Sequence, residues 1–282
     1  MKLSRKLTSL ILLCGVLPVC ATVGIVHLLN AADEEAVVDA AVDALNDAAA
    51  NKLSGLLASR RAHVVGYFDT IQRQVVSVAK DLSIVEAMRE LDGGFRDLAA
   101  ERGADAGRLA TMRQEVMGSH RSGFANAFRD ATGETPDVDR LFAQLDAPMV
   151  VAQQLYLTQN PHPIGKKHRL QRADDGSAYS KAHERHHPWL CEFQQQFGYY
   201  DVFLIAPDGR VVYSVFKEVD FGSSLANGPW TDTGLGRLYR RLGNAAADSF
   251  VFEEYAQYAP SYDAPAAFIG APIVDGTQRI GY

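Results

Sequence analysis

Residues 199–222 read YYDVFLIAPDGRVVYSVFKEVDFG, and the reading of this stretch decides the fold. The runs 200–205 and 211–216 are rich in β-branched and aromatic residues, which suit a pleated and packed surface. Between them Ala206-Pro207-Asp208-Gly209-Arg210 supplies a proline and an Asp-Gly pair. The two runs are therefore predicted to fold back as an antiparallel hairpin. Further strand-like runs follow at 249–255, 266–273 and 278–282, with a Gly- and Pro-punctuated helical segment at 221–242 between the second and third strands. The last run ends at Arg279-Ile280-Gly281-Tyr282, shorter than an ordinary strand of about five to six residues. It reads as a truncated strand, so the fragment is expected to be less stable than its parent.

Toward the N-terminus the pattern becomes helical. Residues 33–92 carry no proline and are rich in Ala, Leu, Val and charged residues. Within them Val64, Phe68, Ile71, Val75, Val78, Leu82 and Val85 recur at alternating spacings of four and three. That is a heptad seam suited to a partner helix, in the same chain or in a second copy. Asp92-Gly93-Gly94 is expected to interrupt the helix. A second helix is predicted over 106–130, with Leu109, Met112, Val116, Phe124 and Phe128 on its apolar positions and Gly133 as its stop. A third is predicted from Thr135 as N-cap, with Pro136 at the first helical position, to Asn160-Pro161. The fold class is thus α+β: a helical stalk followed by an antiparallel sheet module, with a boundary in the polar stretch 160–180.

Residues 8–29 read TSLILLCGVLPVCATVGIVHLL, a run without formal charge that would span roughly 33 Å as a helix. Lys2, Arg5 and Lys6 precede it and Asp33, Glu34 and Glu35 follow, so the positive-inside bias places 1–7 in the cytoplasm and the remainder outside. The run exceeds the usual ~7–15-residue apolar core of a cleaved signal peptide, which favours a retained anchor in the bacterial inner membrane. Val19 before Cys20 does not fit a lipoprotein site. The division that follows is 1–7 cytoplasmic, 8–29 transmembrane, 31–160 periplasmic and helical, 161–198 linker with a short helix, and 199–282 sheet module. A net charge of −6 without a Lys/Arg block argues against a nucleic-acid partner, and Cys191 as the sole thiol beyond the apolar run implies no intrachain disulfide framework.

Asn160-Pro161-His162-Pro163-Ile164-Gly165-Lys166-Lys167, then Tyr199-Tyr200-Asp201-Val202-Phe203-Leu204, residues 212–222 (VYSVFKEVDFG) and residues 265–273 (PAAFIGAPI) together resemble the sensory half of bacterial methyl-accepting chemotaxis proteins. The resemblance covers most of the chain. It implies an incomplete PAS/Cache-like module, a homodimer, and a parent protein with a second membrane helix and a cytoplasmic signalling segment beyond the last strand. Related sensory regions also precede cyclase and histidine-kinase modules.

His183-Glu184-Arg185-His186-His187 matches H-E-x-x-H, in which a helix presents two zinc ligands with Glu as general base. Pro188 directly after it is expected to end the helix that would align the imidazoles, and no third ligand stands at a fitting spacing. A zinc hydrolase is the alternative from another class. No Walker A, dinucleotide or G-x-S-x-G motif is present, so neither catalysis nor a cofactor is expected. There remain Tyr199, Tyr213, Lys217, Asp220, Trp230, Asp232, Tyr258 and Tyr262, polar and aromatic groups that suit a small-molecule pocket. Alternation along 211–217 puts Tyr213 and Lys217 on one sheet face. Lys217 beside a phenol can hold a carboxylate, while Asp220 can receive an ammonium or pair with Lys217. Trp230 and Tyr262 would cover the face. The expected ligand site is Tyr213, Lys217, Asp220, Trp230 and Tyr262, for an amino or organic acid.

Overall fold

The computed structural model describes residues 15–282. Residues 8–14 of the apolar run lie outside the described residues, and among the described residues no helix is long and apolar enough to cross a membrane. The chain divides into two compact units, Met1–Phe68 and Asp69–Tyr282.

A single helix, α1, runs from Leu17 to Ala79. Pro18 sits in its first turn, where a missing N–H is tolerated, and no proline interrupts it afterwards. Every described side chain from 15 to 68 is exposed. Exposed Val38, Val42, Leu45, Leu53, Leu56, Val64 and Tyr67, with Ala49 and Arg60 at the intervening places, are spaced 4-3-4-4-3-4-4-3. That is an eleven-residue repeat, which matches 3.67 residues per turn and so stays on one side of a nearly straight helix. The continuity of the expected seam is corrected. Val64 and Phe68 are exposed, and the helix does not continue to Val85 because Lys80-Asp81 breaks it. Asp81 starts α2 (Leu82–Glu101) by accepting the Ser83 N–H at 2.8 Å.

The second unit is built around α2, whose Ile84, Met88, Leu91, Phe95 and Leu98 form a buried stripe at helical spacing. The helix runs through Asp92-Gly93-Gly94 without the expected break. Gly94 lies at the crossing with α7 (Ala178–Phe197), where an added Cβ would stand 2.7 Å from the Tyr179 backbone. Glycine serves here for close approach, not for a turn. Helices α3 (Ala106–Ser119) and α4 (Ala125–Thr132) are joined by one π turn, His120–Phe124, and end at left-handed Gly133 as predicted. The third predicted helix is instead two short ones, α5 (Val138–Leu141) and α6 (Ala147–Gln153). Asp137 and Asp146 each cap a separate start, so the caps override Thr135-Pro136. A π turn, Gln154–Thr158, follows α6. Helix α7 begins at Ser177 and passes through Pro188, so the expected stop at His187 does not occur. Pro188 costs one backbone hydrogen bond, while the buried Tyr179, His183, His187 and Leu190 hold both halves of the helix on the core.

Three antiparallel two-stranded sheets follow. β1 (Phe203–Ile205) pairs with β2 (Val211–Ser214) in the register Phe203 with Ser214 and Leu204 with Tyr213, closed by Gly209 at φ 89°. β3 (Val251–Tyr258) pairs with β4 (Ala264–Gly270), and β5 (Ile273–Asp275) with β6 (Gln278–Gly281). Ile205 and Tyr282 exchange both backbone hydrogen bonds at 2.9 Å, joining the ends of β1 and β6. The helix predicted over 221–242 is confined to α8 (Gly234–Leu242), because Gly222, Gly228 and Pro229 precede its cap, Thr233. Helix α8 packs on β3 and β4.

Candidate functional site

All four residues of β2 are buried, so the strand is covered on both faces and its end, not its surface, presents the polar groups. Asp201 organises that end. Its Oδ1 accepts the N–H groups of Val202 (2.6 Å), Val215 (2.9 Å) and Phe216 (3.1 Å), and its Oδ2 accepts the Ser214 hydroxyl at 2.7 Å. The Ser214 hydroxyl in turn accepts the Lys217 N–H at 2.9 Å, and Lys217 adopts φ 60°, a left-handed conformation rare for a long side chain. This turn, not strand alternation, carries Lys217 back over Tyr213. β2 stops at Ser214, so the predicted common sheet face is replaced by a common interior.

Lys217 is 2% exposed. Its ammonium stands 4.3 Å from the ring centre of Tyr213, 5.2 Å from Phe221 and 5.7 Å from Tyr156, and donates to the Ser214 carbonyl. Cation–π attraction substitutes for part of the lost hydration. Burial still lowers the Lys217 pKa, with Asp201 and Cys191 opposing. Asp201 is pushed up by the same burial, against its hydrogen bonds from Ser214, Phe216 and Val202 and the charge of Lys217.

Glu218 and Asp220 follow in the same loop and turn to different partners. Glu218 accepts the Tyr200 hydroxyl at 2.9 Å and the Ser261 hydroxyl, and burial raises it to about 7. Asp220 is fully buried and accepts the Tyr258 hydroxyl on Oδ2. Burial, and after it the charge of Glu218, raises it to about 8. Asp220 therefore makes its contact with Tyr258 and not with Lys217, whose ammonium is spent on Ser214 and the rings. Oδ1 of Asp220 has no hydrogen-bond partner.

Trp230 and Tyr262 form the neighbouring group. Both pack on Phe124, at 6.4 and 6.0 Å between ring centres, and Trp230 also meets Phe142 at 6.0 Å. The Trp230 side chain is buried and its indole N–H has no acceptor. Tyr262, half-buried, has its phenol raised to about 12 by burial and then by Glu218. Gln153 links the two groups: its amide donates to the carbonyls of Val219 (3.2 Å) and Phe221 (2.8 Å) and accepts from His120 Nε2 at 2.8 Å. His120, lowered to about 4 by burial, is thus a neutral donor, and its ring stacks on Phe142 at 4.2 Å.

No family model, curated protein or solved structure matches this chain.

The H-E-x-x-H histidines are folded into the wall behind Lys217. His183 and His187 stack at 4.3 Å, His183 Nδ1 donates to the Gln171 carbonyl at 2.7 Å, and His187 lies between the Tyr213 hydroxyl and the His168 carbonyl, each at 2.6 Å. Glu184 faces outward to Arg172 at 2.8 Å. Among the described residues no group of three or more His, Cys, Asp or Glu converges as metal ligands. Of the wider set, Tyr199 donates to Gln74 at 3.1 Å and Asp232 is exposed. Reading by strand periodicity missed Asp201, Gln153, Tyr156 and Phe221, which come from three separate places in the chain. The pattern Glu218-x-Asp220 inside an apolar run was a signal that could have been used, because two carboxylates there must be buried or bent outward.

Proposed function

We propose that this chain is the extracytoplasmic sensory part of a membrane-anchored receptor of the chemotaxis type, with a PAS/Cache-like module that binds a small molecule and no catalysis of its own. Residues 8–29 would form the inner-membrane anchor, with 1–7 cytoplasmic and the bulk periplasmic. The apolar stripe of α1 would pair with the same stripe of a second copy, and ligand-dependent packing shifts would pass along it.

One observation carries this reading. Asp220 Oδ1 and the Trp230 indole N–H are both buried, polar and unpartnered; Tyr258 donates to the other oxygen of Asp220, and Phe124 and Phe142 pack on Trp230. Leaving such groups unmet costs on the order of 1–3 kcal/mol each, a cost that a bound ligand would remove. A depression on α1 lined by Asn30, Asp33, Glu34, Val37 and Val38 is walled by one helix only.

The test is a thermal-shift screen of amino and organic acids on the full chain. A ligand that raises the melting temperature of the wild type but not of Asp220→Asn or Trp230→Phe supports the reading. Equal shifts in all three proteins place the site elsewhere, and no shift with any compound argues against a small-molecule sensor.

A further inference from the structure

The β3–β4 hairpin has three parts, and each is held differently. Its base, 251–253 opposite 268–270, is tied to α8: Arg237 pairs with Glu253, Arg241 donates to the Phe252 carbonyl at 2.7 Å, and a Cβ on Gly270 would stand 2.9 Å from the Leu242 side chain. The stem is exposed at Glu254, Tyr255, Gln257, Ala264 and Pro265. There Glu254 and Tyr255 stand opposite the single Ala267, a β-bulge that bends the strand, and Pro265 brings no N–H to the ladder beyond it. The tip is buried again, at Tyr258, Pro260 and Ser261.

The tip closes on the loop that follows β2 through side chains. Tyr258 donates to Asp220, and Ser261 donates to Glu218, whose other oxygen accepts the Tyr200 hydroxyl at 2.9 Å. Ring contacts add to these, Tyr262 on Phe124 at 6.0 Å and Tyr258 on Phe268 at 4.9 Å. Among the described residues no backbone hydrogen bond joins tip to loop, whereas the tip closes its own turn with the N–H groups of Tyr262 and Asp263 on the carbonyls of Ala259 and Tyr258, each at 3.0 Å. It can therefore move as a unit. Both sides of the contact are strained: among the described residues, the non-glycine residues with positive φ are Lys217 (60°) in the loop and Tyr262 (59°) and Asp263 (58°) in the tip. Such conformations persist only where the surroundings hold them, and they gather at clamps and switches. We infer that the β3–β4 hairpin is a flap, latched at its tip by Glu218 and Asp220, which swings about the bulge at Glu254-Tyr255 while its base stays on α8. Asp220 is fully buried, so anything that reaches it needs such an opening. The flap is a property of the chain by itself and stands or falls apart from the sensory reading.

Amide hydrogen exchange on the full chain, read by mass spectrometry of overlapping peptides, tests this. In the wild type the hydrogen-bonded amides of 256–266 are expected to exchange as one group, about tenfold or more faster than those of 251–253 and 268–270. Ser261→Ala and Tyr258→Phe each remove one latch bond, so each should speed exchange of the tip several-fold while leaving the base at its wild-type rate. Should either variant fail to fold, the wild-type difference between tip and base decides alone. A wild-type tip that exchanges no faster than the base overturns the flap, because the hairpin then opens as one piece. Variants that speed tip and base alike overturn it as well, since the hinge at the bulge would then be absent.

Discussion

From residue 15 to residue 68 every described side chain faces solvent, while in the second unit Ala87, Met88, Leu91, Val116, Val150 and Tyr213 are fully buried. The first region is secondary structure without a core. Its order rests on backbone hydrogen bonds and helix propensity, which leave isolated helices marginal in water unless an apolar face is covered. The second region is held by interdigitated packing. Adding a side chain at a glycine should therefore act in opposite directions in the two regions.

The largest effect is expected from glycines. Gly94→Leu forces a side chain into the Tyr179 backbone, and should cost about 3 kcal/mol and lower the melting temperature of the second unit by about 6–12 °C. Gly55→Ala in α1 meets nothing within 4 Å and should stabilise the helix by about 0.5–1 kcal/mol. Calorimetric melting of both variants checks the pair. A neutral Gly94→Leu would mean that α2 and α7 do not cross as described.

Asp220→Asn comes next, and its sign depends on pH. Asp220 ordinarily titrates near 3.8 and is raised to about 8 in the folded protein. Between those values the folded state holds a proton that the unfolded chain releases, so wild-type stability falls as pH rises through that window. Asparagine removes this dependence. The melting temperature of Asp220→Asn relative to wild type should climb from pH 5 to pH 8 and level off above it; a constant difference would show that Asp220 is not buried as described.

Leu53→Asp combined with Leu56→Asp should leave the melting of the second unit within about 0.5 kcal/mol of wild type, since both side chains are exposed. It should convert a dimer to a monomer in sedimentation if the α1 stripe pairs two copies. A wild-type monomer, or a variant dimer, would remove that role from the stripe. The smallest effect belongs to Arg172→Ala: its ion pair with Glu184 joins side chains 45% and 52% exposed and should contribute less than about 1 kcal/mol.

The hairpin, the long helix and the left-handed stop at Gly133 were legible because each depends on local signals: residue type, an Asp-Gly turn, an uninterrupted proline-free run. Gly94 and Pro188 were misread for a common reason. Both are local breakers that the core overrides, one because a helix crossing needs the missing Cβ, the other because packing on both sides exceeds the cost of one hydrogen bond. The break at Lys80-Asp81 was missed because the apolar spacing from Val64 to Val85 runs across it without interruption. Within the site, the pairing of Tyr213 with Lys217 was legible, but its cause was not. It depends on Asp201 fixing a turn by four hydrogen bonds, which no periodicity encodes. That Asp220 pairs with Tyr258 rather than Lys217 is a tertiary fact of the same kind.

The chain has two tryptophans, Trp189 and Trp230, so Trp189→Phe leaves Trp230 as the sole indole fluorophore, inside the proposed site. Titrating this variant with amino acids while following Trp230 emission asks most directly whether the unpartnered groups are a ligand site. The account predicts a saturable change in emission with the amino acid that raises the melting temperature, and loss of that change in the Trp189→Phe, Asp220→Asn double variant. A ligand that raises the melting temperature of the variant while leaving Trp230 emission unaltered would contradict it.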